Sequence, residues 1–245
     1  MQFAAIADVH GNALALEAVL ADIRRLGITQ IVNLGDCFSG PLEADRTAER
    51  LITLNIPTVR GNHDRYLVEQ PPAALGASDR HAHAELEQRH FDWLRALPAT
   101  LVYRDEVFLC HATPQRDDLY WLEQVSAEGH VFLQASAEIE ALAQGVDQPL
   151  ILCGHSHIPR AIALSHDRLI VNPGSVGCPA YDDAKPIYHK VETGHCLASY
   201  AVLEKTGNGW TPHFRNVGYD NMAMSRLADA NGRADWAAAL SRGRV

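Results

Sequence analysis

Gln2-Phe3-Ala4-Ala5-Ile6-Ala7-Asp8-Val9-His10-Gly11-Asn12 begins as an apolar run and breaks off at an acid, an imidazole, a glycine and an amide. The run reads as a buried strand. Side chains two apart on an extended segment share a face, so Asp8 and His10 can reach one point. Asn12 is placed to cap a helix whose apolar stripe is Leu14, Leu16, Val19, Leu20 and Ile23 and which ends at Gly27. A second apolar run, Gln30 to Leu34, ends in Gly35-Asp36. A further helix over about Pro41 to Asn55 leads to a third strand, Ile56-Pro57-Thr58-Val59, and then to Arg60-Gly61-Asn62-His63-Asp64. A β-α-β-α-β rhythm means parallel strands with right-handed crossovers. It gathers Asp8, His10, Asp36 and Asn62 at the carboxyl edge, where open α/β sheets place their ligands.

Farther along, Thr100 to Tyr103 and Val107 to Cys110 read as a hairpin that ends at His111. Pro149 to Cys153 is another apolar strand, and it ends in Gly154-His155-Ser156-His157. A hairpin over residues 161–172 follows, then a tight corner, Asn172-Pro173-Gly174-Ser175-Val176-Gly177. Two more strands (about Leu197 to Leu203 and Thr211 to Val217) and a closing helix (about Asn221 to Leu240) complete the chain. With no linker and no repeat, residues 1–245 read as one α/β (α+β) domain: a four-layer αββα sandwich of two mixed β-sheets flanked by helices. Segments 64–97 and 117–144 read as helical and are the pieces expected to overhang the site. Within the first, His81, His83 and Glu85 read as a solvated helical face rather than a metal cluster, because i and i+2 side chains diverge on a helix.

The chain has 245 residues, 47% of them hydrophobic, enough for a sizeable core. No apolar run approaches the roughly 18 residues of a membrane span. Met1 to Ile6 lacks a basic region, so no signal peptide is expected and the expected location is cytoplasmic. Five scattered cysteines without a CxxC pair argue against a disulfide framework and a zinc ribbon. Cys37 and Cys110 read as small core fillers. The net charge of -9 opposes binding along nucleic acid backbones but leaves a phosphorylated substrate open, since bound cations supply local positive charge. The oligomeric state is not readable from the residues.

Five clusters thus stand at strand ends: Asp8-Val9-His10, Gly35-Asp36, Gly61-Asn62-His63-Asp64, Cys110-His111 and Gly154-His155-Ser156-His157. One histidine at a strand end is an ordinary polar cap, and Gly-Asn is a common turn. Five such clusters at the same kind of position are a constellation. Mixed imidazole, carboxylate and amide ligands suit Mn, Fe, Ni or Zn. Two cations roughly 3.5–4 Å apart need a bridging anion, and a carboxylate serves. Beside them, His63 offers a movable proton, with Asp64 available to hold its tautomer.

The set resembles the calcineurin-like metallophosphoesterase superfamily, with the pattern D-x-H, G-D, G-N-H-[ED], H and G-H-x-H present in order from Asp8 to His157. The corner Asn172 to Val176 is similar to that of the small bacterial YfcE-like phosphodiesterase branch. The resemblance implies that two divalent ions are bound, manganese foremost. Asp8, His10 and His157 would hold the first, Asn62, His111 and His155 the second, and Asp36 would bridge them. It further implies attack by a metal-bridging hydroxide on a small-molecule or nucleotide phosphodiester or phosphomonoester, with His63 as acid oriented by Asp64.

There are departures. Serine/threonine protein phosphatases extend the second motif to G-D-x-x-D-R-G, and bacterial dinucleoside polyphosphate hydrolases resemble them there. This chain has Gly35-Asp36-Cys37-Phe38-Ser39-Gly40-Pro41 instead, so both alternatives lose their phosphate-gripping Arg. A non-catalytic scaffold of the same fold, like retromer's metallophosphoesterase-like subunit, is the other alternative. The presence of His63 and Asp64 favours catalysis over it. Arg60 could face a phosphate or make a structural salt bridge; Ser175, Arg80, Arg116 and Arg160 are further possible outer contacts.

Overall fold

The computed structural model describes residues 1–245. The first half contains β1 (Gln2–Ile6), α1 (Ala13–Arg25), β2 (Ile31–Asn33), α2 (Ala44–Leu54), α3 (Asn62–Glu69), α4 (Ala77–Glu85) and α5 (Gln88–Ala96). Then come β3 (Thr100–Tyr103), β4 (Val107–Cys110), β5 (Glu123–Val125), β6 (Val131–Leu133), α6 (Ser136–Leu142) and β7 (Leu150–Leu152). The last part contains β8 (Arg160–Ala163), β9 (Leu169–Asn172), β10 (Ala180–Asp183), β11 (His189–Glu192), β12 (Ala198–Thr206), β13 (Gly209–Val217), α7 (Asn221–Ala230) and α8 (Ala234–Arg242).

Two mixed sheets form the centre, ordered β13-β12-β1-β2 and β3-β4-β7-β9-β8. In the first, β1 is parallel to β2 and antiparallel to β12. In the second, β4, β7 and β9 are parallel, with antiparallel strands at the edges. Strand alternation divides their side chains between layers. Phe3, Ala5 and Ala7 face Val107, Leu109, Leu150, Leu152 and Val171 across the gap between the sheets. Ala4 and Ile6 point the other way, onto Leu16, Val19, Leu20 and Ile23 of α1. On the far side, Ile151 and Ile170 are covered by Trp121, Leu122, Ile139 and Ala143. The expected four layers are therefore present. At α1 the Asn12 side chain accepts a hydrogen bond from the Ala15 amide at 3.1 Å, as a cap should.

Three expectations need correction, and one hairpin was not expected. The strand at 56–59 shrinks to one parallel bridge, Asn33 to Thr58. Pro57 has no N–H to give, and the Arg60 amide turns instead to the carbonyl of Pro98 at 2.8 Å. Segment 117–144 is helical only at α6; Val125, Val131 and Phe132 instead flank a Ser126-to-His130 turn with Gly129 at φ +83, and so form a hairpin. The hairpin β10–β11 was not expected at all. The closing helix is two helices, α7 and α8, separated where Gly232 adopts φ +74. The cysteines behave as expected: all five are free, and Cys37 and Cys110 are fully buried in the core.

Candidate metal centre

The loops that carry the motifs are bent into a backbone conformation that L-residues avoid. Asp8 (φ 54), His10 (φ 51), Asp36 (φ 53), His155 (φ 70) and His157 (φ 60) are all left-handed. Each costs about 1–2 kcal/mol, and such strain concentrates at functional sites. Neighbouring loops hold them there. The Asp8 and His10 amides donate to the carbonyls of Gly35 and Asp36, both at 3.0 Å. The Asn172-to-Gly177 corner ties the remaining loops together. Ser175 Oγ donates to the Asp8 carbonyl at 2.8 Å, and Asn172 Nδ2 donates to the Gly154 carbonyl at 2.8 Å and to Ser156 Oγ at 3.0 Å. Gly61 and Gly177 allow close approaches, because a Cβ would lie 2.1 Å from Asp36 Oδ1 at the first and 1.8 Å from the Val9 carbonyl oxygen at the second.

Three imidazoles are oriented in the same manner. Nδ1 of His10, His111 and His157 donates to the carbonyl of Ser39, Leu34 and Cys178 respectively, each at 2.8 Å. That fixes the tautomer and leaves the Nε2 lone pair pointing inward, the usual preparation of a metal ligand. Nε2 of His10 and of His157 then face each other at 3.2 Å. Two lone pairs at that distance repel unless a positive charge lies with them, either a bound cation or a proton held on one ring. His157 Nε2 lies 3.4 Å from Asp8 Oδ1, a fully buried oxygen without a hydrogen-bond partner. Asp36 Oδ2 sits between the two halves of the site, 3.8 Å from His10 Nε2 and 3.3 Å from His111 Nε2. Asn62 Oδ1 is 3.1 Å from His111 Nε2. Ligand atoms converge in two groups, Asp8/His10/His157 and Asp36/His111/His155. Seven predicted ligands thus come together, and their donor set fits a pair of divalent cations.

Electrostatics say the same. Burial opposes charge on His111, but Asp36 and Asp8 outweigh it and lift the imidazole to about 10. Burial likewise acts against His157, yet Asp8 raises it well above the ordinary value. The carboxyl of Asp8 stays below its usual range, because His157 and His111 overcome its burial. Two buried carboxylates draw in positive charge.

His63 and Asp64 part company. Asp64 is fully buried, and its oxygens accept from the amides of Asp36, Cys37 and Gly61, each at 2.9 Å. It caps the turn into α3 and pins the Asp36 loop, but does not touch the His63 ring. The orienting role assigned to it from sequence therefore falls. The first turn of a helix directs an N3 carboxylate back at its own amides while the neighbouring side chain points away. His63 Nδ1 instead donates to Asp79 Oδ1 of α4 at 2.7 Å, with Ser39 Oγ at 3.3 Å. Desolvation in the cleft works against a charged His63, but Asp36 and Asp79 prevail and raise it to about 9.

A cleft of about 360 Å³ opens over these groups, and His63 lines it. Tyr120, Tyr181, Lys185, Arg233 and Trp236 form other parts of its wall, none of them singled out from sequence. Nothing marks them locally, for they lie in a loop, a hairpin and the last helix. Tyr66 and Ser78 of segment 64–97 and Tyr120 of segment 117–144 also line the cleft. The outer arginines are engaged elsewhere: Arg60 with Glu69, Arg116 with Asp118, Arg160 with Glu123, and Arg80 with the Leu75 carbonyl. His81 pairs with Glu85 at 3.2 Å along the helix face.

A family model for the calcineurin-like phosphoesterase superfamily domain matches residues 1–194. An uncharacterised protein of Methanocaldococcus jannaschii, MJ0912, is 27% identical over 200 residues, covering 72% of this chain and 76% of its own. Among solved structures, a metallophosphoesterase from Sphaerobacter thermophilus shares 24% identity with a TM-score of 0.74, over 99% of this chain and 100% of its own. A hypothetical protein of Pyrococcus horikoshii, PH1004, shares 20% identity with a TM-score of 0.77, over 99% of this chain and 98% of its own. The two structures share the fold, and no helix of the chain is long and apolar enough to cross a membrane. With the motif loops converging as described and the family model spanning them, the chain belongs to the calcineurin-like phosphoesterase superfamily.

Proposed function

We propose that this chain is a phosphoesterase that depends on two divalent cations and hydrolyses a phosphodiester or phosphomonoester of a small molecule or nucleotide. The observation that carries the proposal is the opposed pair of His10 and His157 Nε2 atoms at 3.2 Å beside the unpartnered Asp8 Oδ1. Asp8, His10 and His157 would hold one cation, Asn62, His111 and His155 the other, with Asp36 shared between them. When bound, the cations supply Lewis acidity toward water and toward the phosphoryl oxygens. The protein's own part is to orient and to move a proton. Ser39, Leu34 and Cys178 carbonyls aim the imidazoles. His63, which lines the cleft with Nδ1 held by Asp79, would donate to the leaving oxygen. A cleft of about 360 Å³ suits a nucleotide-sized substrate rather than a polymer backbone, consistent with the net charge of -9. Manganese is the expected metal, and five free cysteines fit a reducing, cytoplasmic setting.

The test is hydrolysis of bis-p-nitrophenyl phosphate and p-nitrophenyl phosphate by protein loaded in turn with Mn, Fe, Ni and Zn, alongside metal analysis. Turnover with about two cations per chain is expected. Protein that binds both cations and turns over neither ester, nor any of a panel of nucleotides, would instead be a scaffold of the same fold.

A further inference from the structure

We propose that Asp79, on α4, is the positioning residue for His63: it holds the imidazole so that Nε2 faces the cleft and delivers its proton to the leaving oxygen. The proposal rests on the phosphoesterase reading of the site. His63 stands in the cleft wall, and only one of its nitrogens is engaged, Nδ1 with Asp79 Oδ1 at 2.7 Å. Asp79 is 4% exposed while the His63 side chain is 33% exposed, so the contact is anchored on a buried carboxylate with the ring left open to the cleft. The other neighbouring acid cannot serve, because Asp64 is already occupied by three backbone amides.

The helix that carries Asp79 is fastened at both ends. Arg233 Nη1, from the turn before α8, donates to Ser78 Oγ at 2.8 Å. At the other end Glu85 Oε2 accepts from the Ala44 amide, at the start of α2, at 2.8 Å. Asp79 is therefore delivered to His63 by a seated element. The proton balance is simple. As the bond from phosphorus to the leaving oxygen breaks, that oxygen takes the Nε2 proton; oxygen from water forms the new bond to phosphorus and gives up a proton to solvent, from which Nε2 is protonated again before the next turnover. His63 becomes neutral and keeps its Nδ1 proton on Asp79, which stays a carboxylate throughout. A plainer role also exists for Asp79, a negative charge in the first turn of α4. The two roles differ in what they do to the leaving group.

The experiment compares manganese-loaded wild type, Asp79→Asn, Asp79→Glu, His63→Ala and the Asp79→Asn/His63→Ala double variant. Phenyl and p-nitrophenyl esters are used, each as monoester and diester. A good leaving group needs little help from an acid, and a poor one depends on it. Asp79→Asn is expected to lower kcat about tenfold or more on phenyl esters and less than about threefold on p-nitrophenyl esters, since an acid contributes roughly 10²–10⁴ in all. KM, metal content and melting temperature should stay near wild type. Asp79→Glu, which keeps the charge on the helix, should show the same selectivity in weaker form and stands in if the amide variant folds poorly. The double variant should be no slower than His63→Ala, as residues acting as a unit are non-additive. Equal losses on both leaving groups, or additive losses in the double variant, would overturn the role of Asp79 alone. Wild type inactive on every ester would overturn the phosphoesterase reading and the proposal with it.

Discussion

Gly61→Ala tests whether close packing of the motif loops, rather than their chemistry alone, makes the centre. Gly61 has an extended backbone (φ -86), so alanine brings no backbone strain. On conformational grounds alone it should stabilise the chain by about 0.4–1 kcal/mol. Space decides otherwise. The new Cβ would lie 2.1 Å from Asp36 Oδ1 and 2.5 Å from the Asp36 amide nitrogen. Ordinary contact is roughly 3.5 Å, so the Asp36 loop must retreat by about 1 Å or more. It cannot do so freely, because Asp36 Oδ1 accepts the His63 amide at 3.0 Å and the Asp36 amide is fixed to Asp64. Overpacking of this kind costs about 1–3 kcal/mol, and losing the hydrogen bond about 1 more. At roughly 2–4 °C per kcal/mol for a chain of this size, the melting temperature should fall by about 4–15 °C. Asp36 would also be displaced from its place between His10 and His111, and a misplaced ligand lowers metal affinity about 10–100-fold. Calorimetric melting and manganese titration measure both. A variant that melts within a degree of wild type and binds manganese within twofold would refute this account of Gly61.

His63→Ala should largely abolish turnover of phenyl esters while about two cations stay bound; metal analysis of the purified variant checks this, and loss of metal would make His63 a ligand instead. Manganese at a hundredfold excess over Kd should stabilise the folded chain by about 2.7 kcal/mol for each cation bound, and Asp36→Asn should remove most of that gain in thermal melts. Asp22 is held well below the usual carboxylate range by Arg215, Arg25 and Tyr200, which overcome its burial. Its contribution is therefore complete above the unfolded value of roughly 3.9 and shrinks by about 1.4 kcal/mol per unit as pH falls below it. Asp22→Asn should cost about 2 kcal/mol in urea unfolding at pH 7, discounted because Arg215 and Arg25 are partly exposed, and about 1 kcal/mol less at pH 3. An equal gap at both pH values would count against the ion pairs as its origin.

Asp8, His10, Asp36, Asn62, His111, His155 and His157 were legible because each closes an apolar run. A strand end fixes both where such a residue lies and which edge it faces, and that information is local. The layers followed from the same alternation. What was misread was also local in appearance. Asp64 directly follows His63, and adjacency suggested a partnership that the first turn of α3 forbids. Asp79 sat in a polar stretch that passes for a solvated face, with no sign that α4 folds back over the cleft. Segment 117–144 carries a helical pattern, and only the pairing of Val125 with Val131 and of Gln124 with Phe132 across a turn makes part of it a hairpin.

The sequence by itself determined the types of the candidate ligands, their order and the strands that present them, since these depend on neighbours within a few residues. Only the tertiary structure decided which carboxylate meets His63 and what walls the cleft. Asp79, Tyr120, Tyr181, Arg233 and Trp236 come from elements far apart in the chain, and which of them meet depends on how helices and hairpins pack, a property no single stretch of residues carries.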